Sequence, residues 1–368
     1  PDAAAKAYEK VLGLVPSHPE AKSFLSEHYS KLERWDLLVS VYERELLSGS
    51  LESHERLGDM LQIAMLHWRK LENVEDAEPW FERIRKLEPS NPLALNFFRE
   101  YAEKLGDEGR LLNVLQAAQK VMTEGPEKTE ISQQIAKLAE SQQDAQKAIE
   151  QYKGVLRQDP DNTEARDALK RLYRKTEGYN ALVELLRQEL ERADKDDSET
   201  RLGILREVAS TYRQFIKSDT ALVTVLNQIL QIDGNDIEAV RELVGLYAQL
   251  GRWRDLLTNQ QRLAELTDDT DEKATILRGV ARRWLDQFSN VQNATEAYQR
   301  LLEAVPTDSE ARERLEELYK KRRAWAPLYE LYEGQLESVD ADRRLELTRE
   351  MAKLAAERLQ RQDDAIRL

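Results

Sequence analysis

Pro16-Ser17-His18-Pro19-Glu20-Ala21 returns along the chain as Pro89-Ser90-Asn91-Pro92-Leu93-Ala94, Pro160-Asp161-Asn162-Thr163-Glu164-Ala165, Gly234-Asn235-Asp236-Ile237-Glu238-Ala239 and Pro306-Thr307-Asp308-Ser309-Glu310-Ala311. The steps between the first residues are 73, 71, 74 and 72. Such a period marks one supersecondary unit copied in tandem, each copy burying its apolar face against the next. The phrase itself is helix-end chemistry. Its leading proline stops a helix, because proline lacks an amide hydrogen and clashes with the preceding turn. His18, Asn91, Asn162, Asp236 and Asp308 then stand where a short polar side chain can cap the next helix. Pro19 and Pro92 take the first helical position, where a missing donor is harmless. Glu20, Glu164, Glu238 and Glu310 fall in the first turn, which the helix dipole favours.

Working outward, each repeat pair reads as four helices. The first carries an apolar stripe through Leu25/Tyr29, Leu169/Tyr173, Val244/Tyr247 and Leu315/Tyr319. This is helical spacing. The second opens on an aromatic residue: Trp35, Tyr179, Trp253 or Trp325. The corresponding turn at 101–111 is longer and lacks the aromatic, and Gly106 and Gly109 are expected to bend it. The third helix follows acidic turns such as 194–198 and 267–271, and its inner face carries Trp68, Tyr212 and Trp284. The fourth has the clearest pattern, Ala4-x-x-x-Tyr8-x-x-Val11, repeated at Ala77/Phe81/Ile84, Ala148/Tyr152/Val155 and Ala294/Tyr298/Leu301, with Leu222/Leu226/Ile229 as the variant. A small residue one turn before a ring lets a neighbouring helix approach while the ring fills the groove. The boundaries expected are 1–16 (partial), 17–89, 90–160, 161–234, 235–306 and 307–368 (partial). Both ends look cut, so the chain reads as a fragment of a longer array.

Composition agrees with a helix-rich protein: 41% hydrophobic, 34% charged and 7% aromatic residues, with few glycines. The net charge of −14 opposes binding to phosphate backbones, so no nucleic-acid partner is expected. It suits a basic protein partner as well as plain solubility. There are no cysteines, which excludes disulfides, thiolate nucleophiles and Cys-bound metals. No apolar run approaches the ~18–20 residues of a membrane span. Nothing fixes a compartment.

Candidate chemistry is sparse. His18, His28, His54 and His67 pair with no carboxylate in a known motif, and His18 reads as a cap. The acidic clusters at 194–197 and 268–272 lack the glycine of a calcium loop and read as helix caps. No glycine-rich phosphate loop and no nucleophile elbow occurs. Lys320-Lys321-Arg322-Arg323 closes a helix, where cations are favoured by the dipole. No catalytic, cofactor-binding or metal-binding residue is therefore assigned.

In its Ala-x-x-x-Tyr fourth helix and terminating proline the chain resembles the tetratricopeptide repeat family; Ala294, Tyr298 and Pro306 match those three places, as do Ala4/Tyr8/Pro16, Ala77/Phe81/Pro89 and Ala148/Tyr152/Pro160. The family's opening Trp is replaced by Lys22, Arg166 and Arg312, and tight repeats alternate with repeats having a long first helix. The half-a-tetratricopeptide variant and other helical-hairpin solenoids share these features. The resemblance implies an all-α, right-handed superhelical solenoid of antiparallel hairpins, with about 20 helices in about ten repeats, whose first helices line a concave protein-binding surface. Solvent-facing positions there would be Ser23, Glu27, Leu95, Arg99, Asp167, Arg171, Arg174, Arg241, Glu313 and Glu317. Of these Arg99, Arg171, Arg174, Arg241, Glu313 and Glu317 are the partner-binding candidates, Arg171, Arg174 and Arg241 as an anion-gripping set. The expected function is a non-enzymatic scaffold or adaptor that binds other proteins or peptide segments. The alternative is the targeting or regulatory arm of an enzyme whose catalytic domain lies outside this stretch. End-to-end self-association through uncapped terminal repeats is a further expectation.

Overall fold

The computed structural model describes residues 2–47 and 51–368. Among them are 21 helices and no strand. The chain divides into two units, Pro1–Leu182 and Val183–Leu368, with the boundary inside one helix.

The N-terminal unit begins with α1 (Asp2–Leu14), followed by the hairpins α2 (Pro19–Lys31) with α3 (Trp35–Leu47), α4 (Ser53–Met65) with α5 (Val74–Leu87), α6 (Pro92–Leu105) with α7 (Glu108–Val121), α8 (Pro126–Ser141) with α9 (Ala145–Gln158), and then α10 (Thr163–Lys175). The boundary falls in α11 (Tyr179–Arg192). The C-terminal unit continues with α12 (Ser198–Thr211) and α13 (Asp219–Ile232), α14 (Ile237–Gln249) and α15 (Trp253–Leu266), α16 (Thr270–Asp286) and α17 (Val291–Ala304), α18 (Ser309–Arg322) and α19 (Trp325–Glu333), α20 (Ala341–Glu357) and α21 (Gln362–Arg367).

The recurring phrase does what its chemistry dictates. His18 Nδ1, Asn91 Oδ1, Asn162 Oδ1, Asp236 Oδ1 and Asp308 Oδ1 each accept a hydrogen bond from the backbone amide three residues on, at 3.3, 3.2, 2.9, 2.9 and 2.8 Å. Each hairpin then turns on one residue in the left-handed region: Glu33, Glu72, Gly106, Gln143, Glu177, Lys217, Gly251, Ser289, Arg323 and Gln360. Only two are glycines. The others adopt a conformation that disfavours a Cβ by roughly 1–2 kcal/mol, so packing of the two helices holds the turn.

The fourth-helix seam is the core. Ala77/Phe81/Ile84, Ala148/Tyr152/Val155, Leu222/Leu226/Ile229 and Ala294/Tyr298/Leu301 are all buried. Trp68, Phe81 and Phe97 show how one hairpin is tied to the next: the Phe81 and Phe97 rings stack at 4.3 Å, and Trp68 meets both edge-on at 5.5 and 5.4 Å. Packed rings of this kind add to the area they bury. In the C-terminal unit one apolar cluster runs from Leu257 to Ala355 through Trp284, Tyr298 and Tyr332.

Four details differ from the sequence reading. In α1 it is Ala5 and Leu12 that are buried, whereas Ala4 is exposed. Leu95 is buried among Phe97, Phe98 and Leu115 and does not face solvent. The turn after α6 is made by Gly106 alone, with Gly109 inside the first turn of α7. The long third helices of two repeat pairs end in a π-helical turn, Leu66–Lys70 and Tyr212–Ile216. Each extra residue there re-aims an aromatic side chain, Trp68 or Tyr212, into the core.

Candidate functional site

Within each unit, polar side chains lace first and third helices to the next one along the chain. In the N-terminal unit Arg69, at the end of the third helix, pairs with Glu100 of α6 at 2.7 Å while its guanidinium lies 3.5 Å from the Trp68 ring. From α6 to α8, Arg99 Nε donates to Gln134 Oε1 at 3.0 Å. Between α8 and α10, Lys137 meets Glu164 at 2.6 Å and Arg171 meets Glu140 at 2.8 Å. The C-terminal unit repeats the scheme: Arg206 with Asp236 (2.9 Å), Arg213 with Glu242 (2.6 Å), Arg241 with Glu272 (2.9 Å), then Arg278 with Asp308 and Arg282 with Glu310. A shallow groove of about 500 Å³ runs between α12, α13 and α14, walled by Arg206, Arg213, Arg241 and Glu242 over Leu226 and Ile229.

The residues singled out from the sequence lie on this laced face, but most are already engaged. Arg99 is half-buried and also donates to Asn96 Oδ1 at 2.8 Å. Arg171 and Arg241 are exposed and each holds a carboxylate of a neighbouring helix. Arg174 is exposed in the last turn of α10. Arg171 and Arg174 belong to the N-terminal unit and Arg241 to the C-terminal one. Glu317 accepts from Arg314 at 3.0 Å, and Glu313 stands exposed on α18. The acidic clusters serve as caps: Asp197 accepts from the Thr200 amide and Asp269 from the amides of Asp271 and Glu272. The basic run ends α18, where Lys320 pairs with Glu316 at 2.6 Å and Arg322 donates to Gln292 at 2.8 Å. Among the described residues no three His, Asp or Glu side chains are placed to hold a metal, and no helix is long and apolar enough to cross a membrane.

One cluster was not foreseen. Lys22 of α2 reaches between Glu45 of α3 and Asp59 of α4, donating to Asp59 Oδ1 at 2.8 Å and pairing with Glu45 Oε2. Its ammonium also lies 5.3 Å from the Tyr42 ring. Glu45 and Asp59 are 7% and 5% exposed, so two carboxylates and one ammonium share a nearly dry site. Burial opposes the Lys22 charge, but the bonds to Asp59 and Glu45 outweigh it and raise its pKa. Burial, with the Asp59 charge adding to it, pushes the Glu45 carboxyl above its ordinary range despite Lys22. A groove of about 580 Å³ opens in front of the cluster, lined by Ser23, Ser26, Tyr42, Leu51 and Glu55 together with Lys22 and Glu45. The available signal was that Glu45 and Asp59 interrupt apolar stripes, seven residues after Leu38 and four before Ile63.

The same seat in the 235–306 repeat pair carries no charge. Aligned on the phrase, on Trp35 and Trp253, and on Ala64 and Ala281, the positions of Lys22, Glu45 and Asp59 hold Val240, Leu263 and Ile276. Val240 and Leu263 are buried and Ile276 is half-buried.

No known family profile matches the chain, and no curated protein does. Solved structures do. The chain is similar over its whole length to 60% of a chain in the complex of Naa15/Naa10 bound to HypK-THB, with 14% identity and a TM-score of 0.34. It thus spans less than two thirds of that relative. Over 71% of its length it is similar to 98% of a tetratricopeptide repeat protein from Parabacteroides merdae (15% identity, TM-score 0.30). Over 49% it is similar to 88% of YrrB, described as a tetratricopeptide repeat protein with an unusual peptide-binding site (15% identity, TM-score 0.26). The tetratricopeptide-like character of the fold is carried by the chain's own hairpins, with small residue, ring and proline where the repeat needs them.

Proposed function

We propose that this chain is a non-enzymatic scaffold or adaptor that binds a segment of another protein along the laced face of its first and third helices. The observation that carries the reading is the lacing itself. Charged side chains such as Arg171 and Arg241 are exposed yet already oriented by a neighbour's carboxylate. Side chains ordered before binding lose less entropy when a partner arrives, so many weak polar contacts can sum to a useful affinity.

The test is site-specific photocrosslinking in the cells that make the protein. A photoreactive residue is placed at Ser23, Asp167 or Glu313, exposed on first helices, and for comparison at Lys153 or Glu296, exposed on fourth helices. Protein adducts concentrated at the first three positions support the proposal. Adducts mainly at the fourth helices, or no protein adduct at any position, contradict it.

A further inference from the structure

We propose that the hairpin-turn edge of the C-terminal unit, from the turn before α15 to the turn before α21, docks an acidic segment of a partner protein. Its arginines take the Asp and Glu side chains of that segment, because no carboxylate of this chain occupies them. The surface lies across helix ends and is separate from the laced face of the scaffold, which runs along the helices. Contacts make the edge continuous. The Arg283 guanidinium of α16 lies 6.0 Å from the ring of Trp253, at the start of α15. Arg322, in the last turn of α18, donates to Gln292 in the first turn of α17 at 2.8 Å. Arg358, the C-cap of α20, lies 5.3 Å from the Trp325 ring of α19, and Arg361 lies 5.8 Å from that of Tyr329. Among the described residues, none of Arg254, Arg283, Arg322, Arg323, Arg358 and Arg361 is paired with a carboxylate.

Supply does not force these arginines to stay bare. Acidic residues outnumber basic ones 69 to 55, and along the laced face Arg206, Arg213, Arg241, Arg278 and Arg282 each hold a carboxylate. Of the acids at these turns, Asp255 is held by Arg252 and Asp364 by Arg367, which leaves Asp286, Glu357 and Asp363 against the arginines and Lys321. Helix chemistry explains only part of the pattern. The dipole favours Arg283 and Arg322 in the last turns of their helices, but disfavours Arg254 in the first turn of α15 and Arg361 at the N-cap of α21. The left-handed turn residues differ in the same sense. Those of the N-terminal unit include Glu33, Glu72 and Glu177, whereas those of the C-terminal unit are Lys217, Gly251, Ser289, Arg323 and Gln360.

The chemistry suits carboxylates. A guanidinium held near a ring keeps its planar fork of N–H donors for a bidentate acceptor, and exposed Trp253 offers apolar cover to the partner's chain. Arginines attract phosphate as well, but the net charge of −14 repels a long polyanion, whereas a short acidic segment meets only this edge.

The experiment follows the fluorescence anisotropy of a labelled peptide of alternating Glu and Ser, and of its Gln–Ser counterpart, as each is titrated with the full chain. The Glu peptide should bind about tenfold more tightly or better, the sum of several exposed ion pairs, and should weaken as salt is raised. Arg254→Gln combined with Arg323→Gln and Arg358→Gln should erase that preference. Lys6→Gln combined with Lys10→Gln and Lys153→Gln removes the same charge from exposed positions on α1 and α9, and should keep most of it. Thermal melting checks that the arginine variant is folded, and the comparison of the two peptides on the parent chain needs no variant. Equal binding of the two peptides, or equal loss from both sets of substitutions, overturns the inference. Tighter binding of an oligothymidylate of equal charge overturns it in favour of a nucleic acid. Neither result touches the laced face, which the crosslinking at Ser23, Asp167 and Glu313 reads separately.

Discussion

The seat beneath α2, α3 and α4 holds Lys22, Glu45 and Asp59; its counterpart beneath α14, α15 and α16 holds Val240, Leu263 and Ile276. One chain thus contains a buried ionic cluster and its apolar replacement at the same place in the same fold. A neighbouring contact repeats the contrast. Tyr29 donates to the carboxylate of Glu9, and burial together with that bond pushes its hydroxyl up to about 12, whereas the Tyr247 hydroxyl accepts from neutral Asn227 at 3.1 Å. Hairpin stacking evidently tolerates either chemistry. Since buried ion pairs seldom outdo hydrophobic isosteres in stability, the charges near α2 are not what the stacking itself demands.

The comparison can be broken most forcefully at Lys22. Lys22→Met strands two buried carboxylates and should cost about 3 kcal/mol in urea denaturation, the low end for a broken buried pair because the groove admits water. The loss should shrink in acid. Glu45 has a raised pKa in the folded protein, so folding takes up a proton there and stability recovers as pH falls through that range. Replacing all three residues, Lys22→Val with Glu45→Leu and Asp59→Ile, should instead leave stability unchanged or raise it by about 1–2 kcal/mol. A triple variant as unstable as Lys22→Met would show that the two seats are not equivalent.

Smaller effects sharpen the comparison from the C-terminal side. Asp236 caps α14 and pairs with Arg206; although burial opposes its charge, the Ala239 amide and Arg206 hold its carboxyl below the usual range. Asp236→Ala should cost about 1 kcal/mol at neutral pH. A depressed carboxyl pKa stabilises above its unfolded value and stops doing so as pH falls through its folded one. The difference between parent and variant should therefore disappear in acid, as denaturation at two pH values would show. Arg241→Ala removes a half-exposed pair with Glu272 and should change stability by less than about 1 kcal/mol.

Much of the fold was legible because helix ends and the Ala–aromatic seam are local chemistry: His18, Asn91, Asn162, Asp236 and Asp308 cap as their side chains dictate, and Tyr152 and Tyr298 are buried where the spacing puts them. The hairpin turns were less legible, since Glu33, Glu177 and Arg323 hold left-handed backbone without being glycine. The π turns escaped a reading based on 3.6-residue periodicity, because one inserted residue shifts the phase only locally. Leu95 was misplaced by analogy with charged residues at neighbouring places in other repeats. The Lys22 cluster was hidden for a different reason: its members stand on three helices, and only their packing brings them together.

The claim beneath all of this is that adjacent hairpins shield one another's apolar sides, and paired denaturation of Tyr298→Ala and Tyr8→Ala tests it most directly. The two tyrosines hold the same place in the repeat, but Tyr298 is 1% exposed, on a helix packed by α16 and α18, while Tyr8 is half-buried on α1, which packs on α2 and α3 among the described residues. Tyr298→Ala should lose about 3–5 kcal/mol, and Tyr8→Ala less than half as much. Equal losses, or a Tyr298→Ala variant that unfolds like the parent, would contradict the stacked-hairpin core.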